Sequence, residues 1–316
     1  MREFIEEISS RLGITRKDLL EKDMIIQKLL RDLSEDKFCS KNLVFKGGTC
    51  LIKSYLGYYR FSEDIDFTWK NQILFQGKSQ KEIRRTISGL KDTLGTVLVT
   101  SAKQRGWDFV LDKDKKKYME FGGGNKTITF KVWFDSEMLK QRSFVKIQIN
   151  FVEDVKFNVK TRKAYSLLKD CKEKELQGLY GQEYTEYCGS ITLLSYDVKE
   201  IVCEKVRAIL TRRGVKARDF VDLFLVEKMF GIHMKDVKSE IIEKTSFILD
   251  LYEKYRVNFD EKKKLLESRE LFRWGAEKSL LLQEIDEREF YRFVDGLMND
   301  LKIMAREIIQ NSTGSV

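Results

Sequence analysis

Proline is absent from all 316 residues, histidine occurs once, and no apolar run reaches the roughly 18 residues that would cross a bilayer. At an average usage of about 5% the missing proline is unusual, but it excludes no class of function. The single histidine, His233 in "MFGIHMKDV", has no other ligand type beside it. That excludes HExxH zinc hydrolases, Ser-His-Asp triads and Cys-His nucleophiles, so acid, base or metal chemistry must come from carboxylates, lysine or tyrosine. The missing apolar run implies a soluble protein with no membrane partner. The charged start "MREFIEEISSRLG" lacks the apolar stretch of a signal peptide, and a cytoplasmic location is expected. Cysteine agrees: Cys39, Cys50, Cys171, Cys188 and Cys203 are odd in number without a CxxC pair, as in a reduced protein with packed thiols. There is no low-complexity tract, repeat or Gly/Pro/Ser linker.

What is there is charge, and it is predominantly positive. A net +9 and a pI near 9.1 favour a polyanionic partner, nucleic acid or nucleotide. The length suits two domains. Apolar Ile26, Leu29, Leu30 and Leu33 recur at helical spacing behind Thr15 as N-cap, and a second helix is expected within residues 71–100. Alternating Ile128, Phe130, Val132, Phe134 and Val145, Ile147, Ile149, Phe151 predict β-hairpins on either side of residue 140. From Tyr196 onward the pattern is helical. The expected division is an α/β domain over residues 1–190 and a helical C-terminal domain over 191–316.

The stretch "NLVFKGGTCLIKSYLGYYRFSEDIDFTW" reads as strand, turn, helix, strand. A glycine pair between a strand and a helix lets the backbone approach a ligand and leaves the first helical N–H groups for an anion. Asp64 and Asp66 alternate with Ile65 and Phe67, so both carboxylates face one side of a strand and can reach one cation. Hard oxygen ligands suit Mg²⁺ or Mn²⁺. Alone, a GG turn is usually only a turn and a DxD usually a solvated strand edge; together they place a phosphate cradle beside a metal pair.

A second constellation lies in "YDVKEIVCEKVRAILTRRGVKARDFVDLFLVEKMF". Lys205 falls within the apolar stripe of Val198, Ile201, Val202 and Ile209 and needs a partner or a route to water. Asp219 and Asp222 follow at i, i+3 on the next helix. The basic bias of residues 199–219 also suits a polyanion.

The combination resembles the nucleotidyltransferase fold of the DNA polymerase β superfamily, and more closely the AbiEii/AbiGii toxin family, which includes the MenT toxins. The similar pieces are "EKDMIIQKLLRDLS", "FKGGTCLIK", "RFSEDIDF" and "EKVRAILTRRGVKARDFVDLFLV", covering about residues 20–70 and 190–226. The resemblance implies a mixed α/β sheet domain followed by a helical one. It implies that Gly47, Gly48 and Thr49 bind the triphosphate and that Asp64 and Asp66 hold Mg²⁺ or Mn²⁺. It also implies that Lys205 and Asp219 are catalytic, Lys205 contacting the nucleotide. The activity implied is transfer of NMP from an NTP to an acceptor such as the 3′ end of an RNA, for instance tRNA, by a toxin with a cognate antitoxin. One departure stands out: where relatives often carry an acidic residue on a later strand, "VKIQINFVED" presents Gln148 and Asn150, leaving Gln148 as an uncharged metal ligand or Glu153 or Asp154 as substitutes. Two other readings remain open, a DxD glycosyltransferase and a catalytically degenerate RNA-binding module.

Overall fold

The computed structural model describes residues 1–169, 174–268 and 270–313, and Cys171 lies outside them. The chain divides into two compact units, Met1–Glu153 with Val159–Tyr196, and Asp154–Asn158 with Asp197–Val316. Among the described residues, no helix is long and apolar enough to cross a membrane.

The first unit opens with α1 (Arg2–Leu12), α2 (Lys17–Glu35) and α3 (Lys37–Asn42). Ile26, Leu29, Leu30 and Leu33 of α2 are buried at helical spacing. Thr15 does not cap this helix: Arg16 holds the cap position without a side-chain bond, and its guanidinium instead pairs with Asp18 at 2.7 Å. Strand β1 (Leu43–Lys46) runs into α4 (Gly47–Leu51), which continues as a π-helical turn, Ile52–Leu56, before β2 (Asp64–Trp69). The helix expected within residues 71–100 is α5, which begins at Gln80 and runs on to Arg105. A 3₁₀ turn occupies Gln72–Phe75, and α5 (Gln80–Arg105) begins behind a capping box between Ser79 and Glu82.

Strands β3 (Met119–Gly122), β4 (Thr127–Ser136), β5 (Gln141–Asn150) and β6 (Lys160–Ala164) follow, then α6 (Lys174–Leu179), α7 (Gly181–Cys188) and β7 (Ile191–Ser195). They form one seven-stranded mixed sheet in the order β3-β4-β5-β2-β1-β7-β6. β2 runs antiparallel to β1 and parallel to β5. Alternation sorts the side chains: Ile65, Phe67, Ile128, Phe130, Ile147 and Ile149 are at most 1% exposed, while Asp64, Asp66, Thr129, Gln148 and Asn150 on the other face are half-buried. Each such apolar side chain contributes about 1.5–3 kcal/mol by leaving water, which fixes the register and so the face on which the carboxylates emerge.

The second unit comprises α8 (Val198–Thr211), α9 (Ala217–Phe230), α10 (Lys238–Leu251), α11 (Glu253–Glu267) and α12 (Glu287–Thr313). Its segment Asp154–Asn158 is tied to α8 by Glu200, which accepts from the backbone N–H groups of Lys156 and Phe157 at 2.8 and 2.7 Å and pairs with the buried Lys244.

Candidate active site

Gly47 has φ +75°, left-handed backbone that disfavours any side chain. A Cβ there would lie 2.5 Å from Asp66 Oδ2, and one on Gly48 would lie 2.5 Å from Arg60 Nη2. Both glycines therefore leave room for a close approach. The first admits the Asp66 carboxylate against the turn, and the second admits a guanidinium. Thr49 locks the arrangement: its hydroxyl donates to the Asp64 carbonyl and forms a 2.6 Å hydrogen bond with Ser62. The start of α4 and the start of β2 are thereby clipped together, which brings the GG turn and both carboxylates to one place.

Asp66 has Lys46 as its Cα partner on β1 and Gln148 on β5, and Asp64 has Lys146 on β5. With adjacent strands about 4.8 Å apart, the Gln148 amide emerges beside Asp66, where the sequence places a third ligand. Among the described residues, no group of three or more His, Cys, Asp and Glu side chains gathers as a metal cluster. The donor set is two carboxylates with a neighbouring amide, next to a cradle that a Cβ would fill. It fits a hard divalent cation that takes further oxygens from water and phosphate. Glu153 is engaged elsewhere: it is 5% exposed, 3.6 Å from Lys46 Nζ, and accepts from Asn150 at 3.4 Å. Asp154 pairs with Lys156 at 2.8 Å.

Two buried groups beside the turn escaped sequence reasoning. Arg60 is 1% exposed and donates to the Phe61 carbonyl at 2.9 Å, with its guanidinium against Gly48. Its only sequence signal is a cation flanked by aromatics in "YYRF". Lys53, on the turn that follows α4, is 2.9 Å from Asp23 and donates to Gln27 at 3.1 Å and to Tyr58. Tyr58 and Tyr187 donate to the same Asp23 carboxylate at 2.8 and 2.7 Å. Burial pushes the Lys53 ammonium below its ordinary pKa, opposed by Asp23. The helix behind the GG turn is thus anchored to α2 and α7 by a satisfied polar network, the kind that fixes one conformation.

In the second unit Lys205 is 7% exposed and does not reach for water. Its Nζ lies 3.1 Å from Asp219 Oδ1 and also pairs with Asp222, which is fully buried. Arg212 donates to the other Asp219 oxygen at 2.8 Å. Burial raises the Asp219 pKa, but Lys205 and Arg212 outweigh it, so the carboxyl sits below its ordinary value. The structure brings Lys205 and Asp219 together and adds Asp222 to the pair.

A mixed sheet with helices, a glycine turn after β1 and a carboxylate pair on β2 has the form of a nucleotidyltransferase. Residues 28–306 match the family described as nucleotidyl transferase AbiEii toxin, Type IV TA system, and the chain belongs to that family. Two solved structures resemble it. JHP933 from Helicobacter pylori is 16% identical over 93% of both chains, with a TM-score of 0.42. A chain from H. pylori described as a "putative nucleotidyltransferase" is 18% identical over 94% of this chain and 97% of that one, with a TM-score of 0.39. No curated protein matches the sequence.

Proposed function

We propose that the protein transfers NMP from an NTP to the 3′ end of an RNA, with tRNA as the leading class of acceptor, and that it is the cytoplasmic toxin of a pair whose antitoxin restrains this activity. The observation that carries the reading is the contact between Gly47 and Asp66, because it sets an anion-binding turn directly against a carboxylate of the DxD pair. The N–H groups opening α4 at Gly47, Gly48 and Thr49 receive the triphosphate. Asp64 and Asp66, with the Gln148 amide beside them, hold Mg²⁺ or Mn²⁺. When bound, the metal supplies charge neutralisation at the α-phosphate and activation of the attacking hydroxyl. Arg60 supports the turn from behind. Lys205 is the proposed catalytic lysine, held by Asp219 and Asp222. Family membership favours this chemistry over glycosyl transfer from a nucleotide sugar.

The test is incubation of the protein with each α-labelled NTP and total RNA in Mg²⁺ or Mn²⁺, followed by gel separation and sequencing of labelled species. The expected result is label on RNA 3′ ends from one NTP or a small set. Label on no RNA with any NTP and either metal overturns the assignment and leaves a degenerate binding module.

A further inference from the structure

The sheet face that carries Asp64 and Asp66 continues past β2. Cross-strand register extends it in rows: Asp66, Gln148 and Thr129; then Asp64, Lys146 and Lys131; then Phe144 and Trp133. Val132, Phe134, Val145 and Ile147 point to the opposite, buried face, so all of these rows emerge on one side. Trp133 and Phe144 are half-buried, with ring centroids 4.6 Å apart. Two large rings on an otherwise polar strand face are not needed for the core, which the alternate residues already fill.

Cations surround the rings. Lys117 Nζ and the Arg142 guanidinium lie 5.7 and 5.8 Å from the Trp133 ring, and Lys131 and Lys146 lie 5.9 and 5.8 Å from Phe144. Lys117 ends an exposed run, "KDKKK", over residues 113–117. Asp108 takes Lys117 at 2.9 Å and Arg142, two cations on one carboxylate, and Glu120 takes Lys131. Burial opposes the Asp108 charge, but these donors hold its pKa down at about 2, so it remains a fixed anion shared by the two. Lys146 has no carboxylate partner among the described residues, although its Cα partner is Asp64. Its charge lies in the row of Asp64 and one row from Asp66.

We propose that this face is the acceptor platform. It takes the single-stranded 3′ end of an RNA, stacks the bases behind the terminal nucleotide on Phe144 and Trp133, and sets Lys146 on the intervening phosphate. The proposal rests on the nucleotidyl-transfer reading and names the acceptor surface for it. Successive rows are two residues apart along each strand, about 7 Å, so the rings sit one short step beyond Asp64. Aromatic faces flanked by cations fit unpaired bases and their phosphates, and stacking of this kind tolerates sequence. A paired helix buries its base faces and would not engage the rings.

The test is fluorescence anisotropy of a labelled single-stranded RNA of about 12 nucleotides, within the usual range of such sites, with the full chain and no NTP. Trp133→Ala and Phe144→Ala are each expected to raise Kd roughly five- to 150-fold, the range for loss of one stacked base. Trp133→Phe, which keeps a ring, is expected to bind near wild type, and this rescue separates stacking from misfolding. Lys146→Gln should flatten the slope of log K against log salt by about 0.7, the single-strand value for one phosphate. A chain that transfers NMP to RNA, but whose Kd is unmoved by both alanine variants, overturns the platform and keeps the transferase reading. A chain that binds through the rings yet consumes no NTP does the reverse. If the ring variants bind normally and polyglutamate displaces the RNA as well as unlabelled RNA does, the face is a surface for an acidic protein and the proposal fails.

Discussion

Gln148 and Asp66 are Cα partners across the parallel β2–β5 ladder, which places an amide where a third carboxylate would complete the proposed metal site. An amide oxygen ligates without bringing charge, so the pair should hold its cation less tightly than three carboxylates would. Gln148→Glu is expected to lower the Mg²⁺ concentration for half-maximal transfer. Because Glu153 is committed to Lys46, the added charge meets no competing ligand from that side. A metal titration of transfer rate checks this, and an unshifted midpoint would remove Gln148 from the metal.

Gly47 and Gly57 form a matched pair. Both have positive φ, +75° and +79°, but a Cβ at Gly57 meets nothing within 4 Å whereas one at Gly47 meets Asp66. Alanine at either should cost about 1–3 kcal/mol of backbone strain, visible in denaturant melts. Only Gly47→Ala also displaces the carboxylate, so only it should lose activity per folded molecule. Equal activity loss in both would place Asp66 away from the chemistry.

Lys205→Met removes the cation that pairs with both buried carboxylates, and Arg212 still pairs with Asp219. Breaking a buried ion pair from one side costs about 3–5 kcal/mol, so this variant should be markedly unstable. Adding Asp222→Asn removes one of the two buried carboxylate charges and should recover much of the loss, since Asp219 keeps Arg212. If Lys205 is catalytic, the double variant regains stability and not activity. Recovery of both would make Lys205 purely structural.

Asp219 gives that cluster a pH signature. Its folded pKa lies below the unfolded carboxylate value near 3.9, so the stability it contributes is fully present above about pH 4 and is lost as pH falls through the folded value. Asp219→Asn should therefore destabilise the protein most near neutral pH, and the gap from wild type should narrow near pH 3. Urea melts at the two pH values decide it; a constant gap would mean that the fold does not lower the Asp219 pKa.

Local periodicity made much of this legible. The alternation of Asp64 and Asp66 with Ile65 and Phe67, and of Gln148 with Ile147 and Ile149, sets faces within a strand, and the structure keeps those faces. The strand, turn, helix, strand order around Gly47 is written in nearest neighbours. Alternation does not say which strands pair, so the row linking Asp64 to Lys146 and onward to Phe144 and Trp133 was invisible. Asp23 illustrates the other limit. On a helix of charged and apolar residues it reads as solvent-facing, yet it is buried by Lys53, Tyr58 and Tyr187, partners far along the chain. Lys205 in an apolar stripe announced a missing partner; that two carboxylates and not water would supply it depended on how α8 and α9 pack.

If the carboxylates on β2 carry the transfer, the single-turnover rate of NMP transfer at saturating Mg²⁺, NTP and RNA separates wild type from Asp66→Asn. Asparagine keeps the shape of the side chain against Gly47 and removes its charge. The expected result is a fall of at least about 100-fold, the scale of a lost electrostatic group, with an unchanged thermal melt. A near wild-type rate in Asp66→Asn would contradict it.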